Sequence, residues 1–150
     1  MIQENKPFGL LIFKMMKTIG NNLKKRLQSA GLNYSLDQLF LLKAVQRDEV
    51  AVVQQDMAER VGKDKSCILR IIDSLEEEDL IKRVVNPDDR RKNILVITEK
   101  GLILIEKFLT IENELFKDVE RGISKNDIDT FYKVIAKIQN NAEQSSPCNL

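Results

Sequence analysis

Two small groups of side chains in this sequence have the types and spacing to hold a polyanion. The first is Lys63, Lys65, Ser66 and Arg70, with Cys67 among them, in "GKDKSCILR". The second is Arg90, Arg91 and Lys92 in "VVNPDDRRKNILVIT", residues 84–98. An ammonium meets a phosphate as a point charge, whereas a guanidinium can give two hydrogen bonds to a phosphate or to a guanine edge. Asp89 stands beside the second group. It can hold an arginine or cap the turn, leaving Arg91 to project.

Most other chemistries are closed by composition. There is no histidine, so Ser/His and Cys/His triads and histidine acid–base catalysis are excluded. Cys67 and Cys148 have no CxxC spacing, and a Cys/His zinc site is not expected. The paired acids Asp88/Asp89 and Asp127/Asp129 lie in a turn and at a helix start. No nucleophile, metal-ligand set or phosphate loop accompanies them, so no enzyme, metal or cofactor is expected. Lys plus Arg number 24 against 23 Asp plus Glu. A general basic coat is thereby excluded, and any anion-binding surface must be a local patch.

Helices must position both groups. Phe8, Leu11, Ile12, Met15, Ile19, Leu23 and Leu27 recur at helical steps, which predicts a helix to about Ala30 with Gly31 as its left-handed cap. Ser35 with Gln38 forms a capping box opening a second helix through "LDQLFLLKAV". "VAVV" is too short for more than an edge strand. A short helix, "QQDMAERV", ends at Gly62, and the next runs from near Asp64 to about Asp79 with Ile68, Ile71, Ile72 and Leu75 on one face. Strands follow near Ile81–Val85 and Ile94–Ile97. Thr98 caps a helix from Glu99 to about Glu120, and Ser124 with Asp127 starts a last helix to about Asn141. In that helix Ile128, Phe131, Ile135 and Ile138 form a narrow stripe suited to a helix-to-helix seam.

The 150 residues, 43% of them hydrophobic, match one domain with a core. There is no apolar run of about 18 residues and no signal-peptide pattern, so a cytoplasmic protein without a membrane span is expected.

Ala58 and Gly62 fit the close contact and sharp turn of a helix-turn-helix, with Met57, Val61, Ile68 and Ile71 packing between its helices. On the second of these helices Ser66 and Arg70 lie nearly opposite the isoleucine face. Lys63 and Lys65 stand at its N-terminus, where free backbone N–H groups also favour anions. Glu76, Glu77, Glu78 and Asp79 read as a solvated acidic end that phosphate would repel. A hairpin placed directly after a helix-turn-helix is a wing, whose arginine can enter a neighbouring minor groove. The fold class is therefore mainly α with a small β wing: a winged helix-turn-helix plus N- and C-terminal helices.

At this point the sequence resembles the MarR family (multiple antibiotic resistance regulators) of winged-helix transcription factors. The likeness runs from "DMAERVGKDKSCILRIIDSLEEEDLIKR" through "NPDDRRKNILVITEKG", including Asp89-x-Arg91 and the later Ile97-Thr98 before Glu-Lys-Gly. The resemblance implies a homodimer in which residues 1–34 and 99–143 form the helical dimerisation region and 35–98 the DNA-binding region. The tail 144–150 reads as disordered. It also implies that Lys65, Ser66 and Arg70 read or clamp the major groove of double-stranded DNA. Arg91 would enter the minor groove, with Arg90 and Lys92 near phosphates and Asp89 as wing brace. A small aromatic or phenolic effector is implied too, with Phe8, Ile12, Met15, Leu39 and Phe40 as candidate cleft residues. Two departures stand out: Leu69 where the family often has threonine, and Asp79 where it usually has a helix-ending glycine. Cys67 reads as a packing or phosphate-side residue on the recognition helix's flank. The competing reading is a winged-helix module that binds protein, its charged wing merely solvated.

Overall fold

The computed structural model describes residues 8–47, 52–53, 57 and 64–145. The chain divides into two compact units, Met1–Asn113 and Glu114–Leu150, and each is taken by itself. The elements are α1 (Phe8–Ser29), α2 (Leu36–Arg47), β1 (Val52–Val53), α3 (Lys65–Glu77), β2 (Ile81–Val85), β3 (Asn93–Ile97), α4 (Glu99–Val119) and α5 (Lys125–Gln144). Most of the short helix expected before Gly62, with Ala58, Val61 and Gly62 themselves, lies outside the described residues. Met57 is described, and it is helical and fully buried.

Local capping accounts for several boundaries. In the capping box Ser35 donates its backbone N–H to Gln38 Oε1 at 2.8 Å, and the Gln38 N–H returns to Ser35 Oγ at 3.1 Å. Gln38 also gives its side-chain amide to Ser74 Oγ at 2.9 Å, fastening the start of α2 to α3. α1 ends with Gly31 at φ 75°, where Leu32 N–H reaches Leu27 O and Gly31 N–H reaches Gln28 O. α3 ends the same way, with Asp79 at φ 56° and bonds from Leu80 N–H to Leu75 O and from Asp79 N–H to Glu76 O. Aspartate fills the left-handed position that glycine fills after α1. Ser124 Oγ accepts the Asp127 N–H and opens α5, which runs to Gln144 rather than stopping at Asn141.

The sheet has three strands in the order β1-β3-β2, both pairs antiparallel. Ile81 pairs with Ile97 and Arg83 with Leu95, while Val52 pairs with Leu95 from the other side. The edge strand expected from "VAVV" is this two-residue β1, which widens the wing beyond a bare hairpin. In the first unit, Leu39, Leu41 and Leu42 of α2 are buried, as are Ile68, Ile72 and Leu75 of α3, Leu80, Ile81 and Leu95, and Ile105 and Phe108 of α4. α2 lies against α3 and β3, and α3 against β2. Each such fully buried side chain contributes on the order of 1.5–3 kcal/mol.

α1 differs along its length. Leu23 and Leu27 are buried, but Phe8, Leu11 and Met15 of the same stripe are exposed, and so are Leu10, Phe13 and Met16. In the second unit no residue of α5 is buried, and Phe131, Tyr132 and Val134 stand exposed.

Candidate nucleic-acid interface

The first charged group is mounted on α3. Asp64 is the N-cap, in extended conformation, and its Oδ1 accepts the Ser66 hydroxyl at 2.6 Å and the Cys67 N–H at 2.8 Å. These bonds, the hydroxyl's foremost, hold the Asp64 carboxyl below the usual carboxylate range. The Ser66 proton is thus turned to the cap, and its oxygen keeps acceptor capacity for a donor from outside.

Lys65, Ser66, Leu69, Arg70 and Asp73 are exposed, and Ile68, Ile72 and Leu75 are buried. At 100° per residue, Ser66, Arg70 and Asp73 share an arc of roughly 60°. Arg70 Nε reaches back to Ser66 O at 3.4 Å, and the residue stays exposed on that face. Cys67 is a free, half-buried thiol on the flank. Lys63 lies outside the described residues.

The second group stands on the wing. Asn86 N–H donates to Lys92 O at 2.9 Å and closes the hairpin. Two side-chain turns shape the tip: Asp88 N–H to Asn86 Oδ1 at 2.9 Å, and Arg91 N–H to Asp89 Oδ1 at 3.1 Å. Lys92 N–H also donates to Asp89 O at 2.9 Å. Arg91 Nε approaches Asp89 Oδ1 at 3.3 Å, yet the arginine side chain remains 91% exposed. A pair of that kind is worth little to stability, so the guanidinium is held near the tip while staying available. Arg90 and Lys92 are exposed beside it.

Sequence reasoning missed the link between these two pieces. Glu76 is not part of a solvated acidic end. It takes the backbone N–H of Arg83 on β2 at 3.0 Å and pairs with its guanidinium, which also pairs with Asp73. Burial alone would lower the Arg83 pKa, but the bonds to Asp73 and Glu76 outweigh it and raise the value. No local spacing announces a pairing between a helix and the strand after it.

A second knot joins the wing's base to α4. Thr98 donates its hydroxyl to Asp79 O at 2.6 Å and its N–H to Leu80 O at 3.0 Å. Lys100 Nζ reaches Glu78 O at 2.6 Å. Gly101 sits so close that an added Cβ would lie 2.2 Å from Leu80 O, which gives a physical reason for glycine in "TEKG".

The residues suggested for an effector cleft differ in exposure. Phe8 and Met15 are exposed and Ile12 is half-buried on α1. Leu39 is fully buried in the core. Phe40 is 41% exposed and meets Phe108 edge-on, ring centroids 6.0 Å apart. Beside them Lys43 Nζ lies 2.5 Å from Glu112 Oε2, with side chains 24% and 11% exposed, and 5.8 Å above the Phe108 ring.

An outward-facing helix followed by a short turn and a three-stranded wing with a basic tip defines the winged-helix class. Residues 35–92 match the family model described as the MarR family. Among similar solved structures is the transcriptional regulator PA3341, 27% identical over 91% of this chain and 98% of that one, with a TM-score of 0.78. CouR from Rhodococcus jostii RHA1, bound to p-coumaroyl-CoA, is 20% identical over 89% of this chain and 91% of that one, TM-score 0.74. Bordetella bronchiseptica BpsR is 17% identical over 89% and 94%, TM-score 0.77; at such identities the last two speak to the fold. Residues 35–92 thus carry a MarR-family segment, and the chain's winged-helix fold is similar to that of the transcriptional regulator PA3341. No helix among the described residues is long and apolar enough to cross a membrane.

Proposed function

We propose that this chain is a cytoplasmic repressor that binds a pseudo-palindromic operator as a homodimer and releases it when a small aromatic or phenolic effector binds. One observation carries the DNA reading: the exposed Lys65, Ser66 and Arg70 of α3 are followed, in the same unit, by a wing whose tip exposes Arg90, Arg91 and Lys92. A major groove accepts such a helix, and the concentrated negative potential of a minor groove draws arginine. Asp89 braces the tip by holding the Arg91 backbone and side chain.

The exposed apolar residues of α1 and α5 support the dimer, since runs of Phe, Leu and Met left in water call for a covering partner. Two copies would place two reading heads on half-sites about one helical turn apart. The effector reading draws on relatives. BpsR is described as having its DNA binding regulated by 6-hydroxynicotinic acid, and CouR as bound to p-coumaroyl-CoA. In this chain Phe8, Ile12, Met15, Leu39 and Phe40 are the proposed contacts. An effector would release DNA by binding the DNA-incompetent geometry more tightly.

Selection of bound duplexes from a random DNA pool tests the core of this reading. Enrichment of a palindrome is the expected result. Recovery of no preferred sequence at low salt, from protein shown to be folded, would overturn it in favour of a protein-binding module.

A further inference from the structure

The DNA-facing surface of α3 carries a charge of the wrong sign. Asp73 stands within the arc of Ser66 and Arg70, its side chain 56% exposed, and Glu76 follows at 38%. Two carboxylates on that helix would repel phosphate and oppose the attraction of Lys65 and Arg70. Both are engaged by one residue from outside the helix. Arg83, on β2, spreads its guanidinium across Asp73 and Glu76 while its backbone N–H holds the second Glu76 oxygen at 3.0 Å. Its side chain is only 21% exposed and is turned toward α3.

We propose that Arg83 is an electrostatic mask, a positioning residue that offsets one of the two negative charges of Asp73 and Glu76 so that α3 can approach the phosphate backbone. It touches no DNA itself. Arginine suits the task because its planar fork reaches two carboxylates at once, and its charge persists at every pH the protein meets. The proposal rests on the reading of α3 as the DNA-facing helix and adds a charge-balance rule to it. The affinity of α3 for DNA is set by a residue on the neighbouring strand as well as by the residues that meet the duplex.

The test measures binding to the duplex recovered by selection, using full-length protein and a folding check by thermal unfolding for each variant. Arg83→Met should weaken binding about tenfold at low salt, and the deficit should narrow as salt screens the exposed carboxylates. Arg83→Lys, which keeps the charge, should stay within a few-fold of wild type. Adding Asp73→Asn and Glu76→Gln to Arg83→Met should restore most of the lost affinity, because nothing is left to mask. In a wild-type Arg83 background the same pair of changes should leave binding as tight or tighter. That last variant keeps the proposal testable even if Arg83→Met fails to fold. No recovery in the triple variant would make Arg83 a direct phosphate contact or a purely structural strut, and weaker binding by Asp73→Asn/Glu76→Gln would overturn the mask as well. If wild type recovers no duplex, both the DNA reading and this proposal fall. If wild type binds but the rescue fails, only the mask does.

Discussion

Replacing Gly101 with alanine sets two opposing effects against each other at one position. Gly101 lies in the first turn of α4, and in a helix alanine is favoured over glycine by about 1 kcal/mol. Against that gain, the new Cβ would stand 2.2 Å from Leu80 O, 2.8 Å from Ile97 Cγ1 and 3.1 Å from Leu80 C, where real Cβ contacts essentially never fall below 3.0 Å. Ile97 is the end of a flexible side chain and can yield. The Leu80 carbonyl cannot retreat cheaply, because it already accepts the Thr98 N–H at 3.0 Å and its hydroxyl at 3.1 Å. Overpacking of this kind costs up to about 3 kcal/mol, so a net loss of about 2 kcal/mol is expected. For a chain of this size that is a fall in thermal midpoint of about 4–8 °C. Gly20→Ala is the matched control. Gly20 is interior to α1, and its added Cβ would meet only Leu36 Cδ1 at 4.0 Å, so the midpoint should rise by about 1–4 °C. Thermal unfolding by circular dichroism, at one protein concentration, reads both. A Gly101→Ala protein as stable as wild type would refute the argument that the α4 start is pressed against the Leu80 backbone.

Arg91→Ala should weaken operator binding about tenfold while moving the thermal midpoint by less than about 1 °C, since its pair with Asp89 is exposed; a large fall in midpoint would make Arg91 structural. Lys43→Met should cost about 3 kcal/mol by leaving Glu112 unpaired at 11% exposure, and adding Glu112→Leu should recover most of it in a denaturant titration. Asp79→Gly should raise stability by about 0.5–1 kcal/mol, because it relieves a left-handed residue at φ 56° and removes an anion from the C-terminal end of a helix. The Asp64 carboxyl is held below its usual range, so its stabilisation is complete above the unfolded value of about 3.9 and is lost as pH falls through the lower folded one. The midpoint gap between wild type and Asp64→Ala should therefore hold steady above about pH 5 and close in stronger acid; a gap that widens there would reverse the assignment.

What the sequence made legible was local. Ser35 with Gln38, Gly31, Thr98 and Ser124 act over three or four residues, and their hydrogen bonds form within that span. The helices and the β2–β3 hairpin followed from periodicity for the same reason. Gln38 to Ser74, Lys43 to Glu112, and Arg83 to Asp73 and Glu76 depend on which surfaces meet, and no spacing rule encodes that. Glu76 shows the difference. Beside Glu77, Glu78 and Asp79 it reads as one more solvated acid, and only the strand laid against it makes it a partner. Leu39 differs again, since facing inward on α2 does not separate a cleft wall from a sealed core.

The sheet also sets an order of assembly. The β2–β3 hairpin joins residues near in sequence, Val85 to Asn93 at its tip, and two side-chain turns pre-shape the connection. β1 must find the far side of β3 across about forty residues, Val53 to Ile94, which adds on the order of 1.4 kcal/mol of loop-closure entropy for only two residues of pairing. The hairpin should therefore form on the microsecond scale from local contacts, and β1 should zip on after α2 and α3 have brought their leucines and isoleucines together. The same asymmetry runs backward on unfolding. β1 should leave first, so the outer edge of β3 is expected to open earliest in amide hydrogen exchange, while the wing tip keeps its turn.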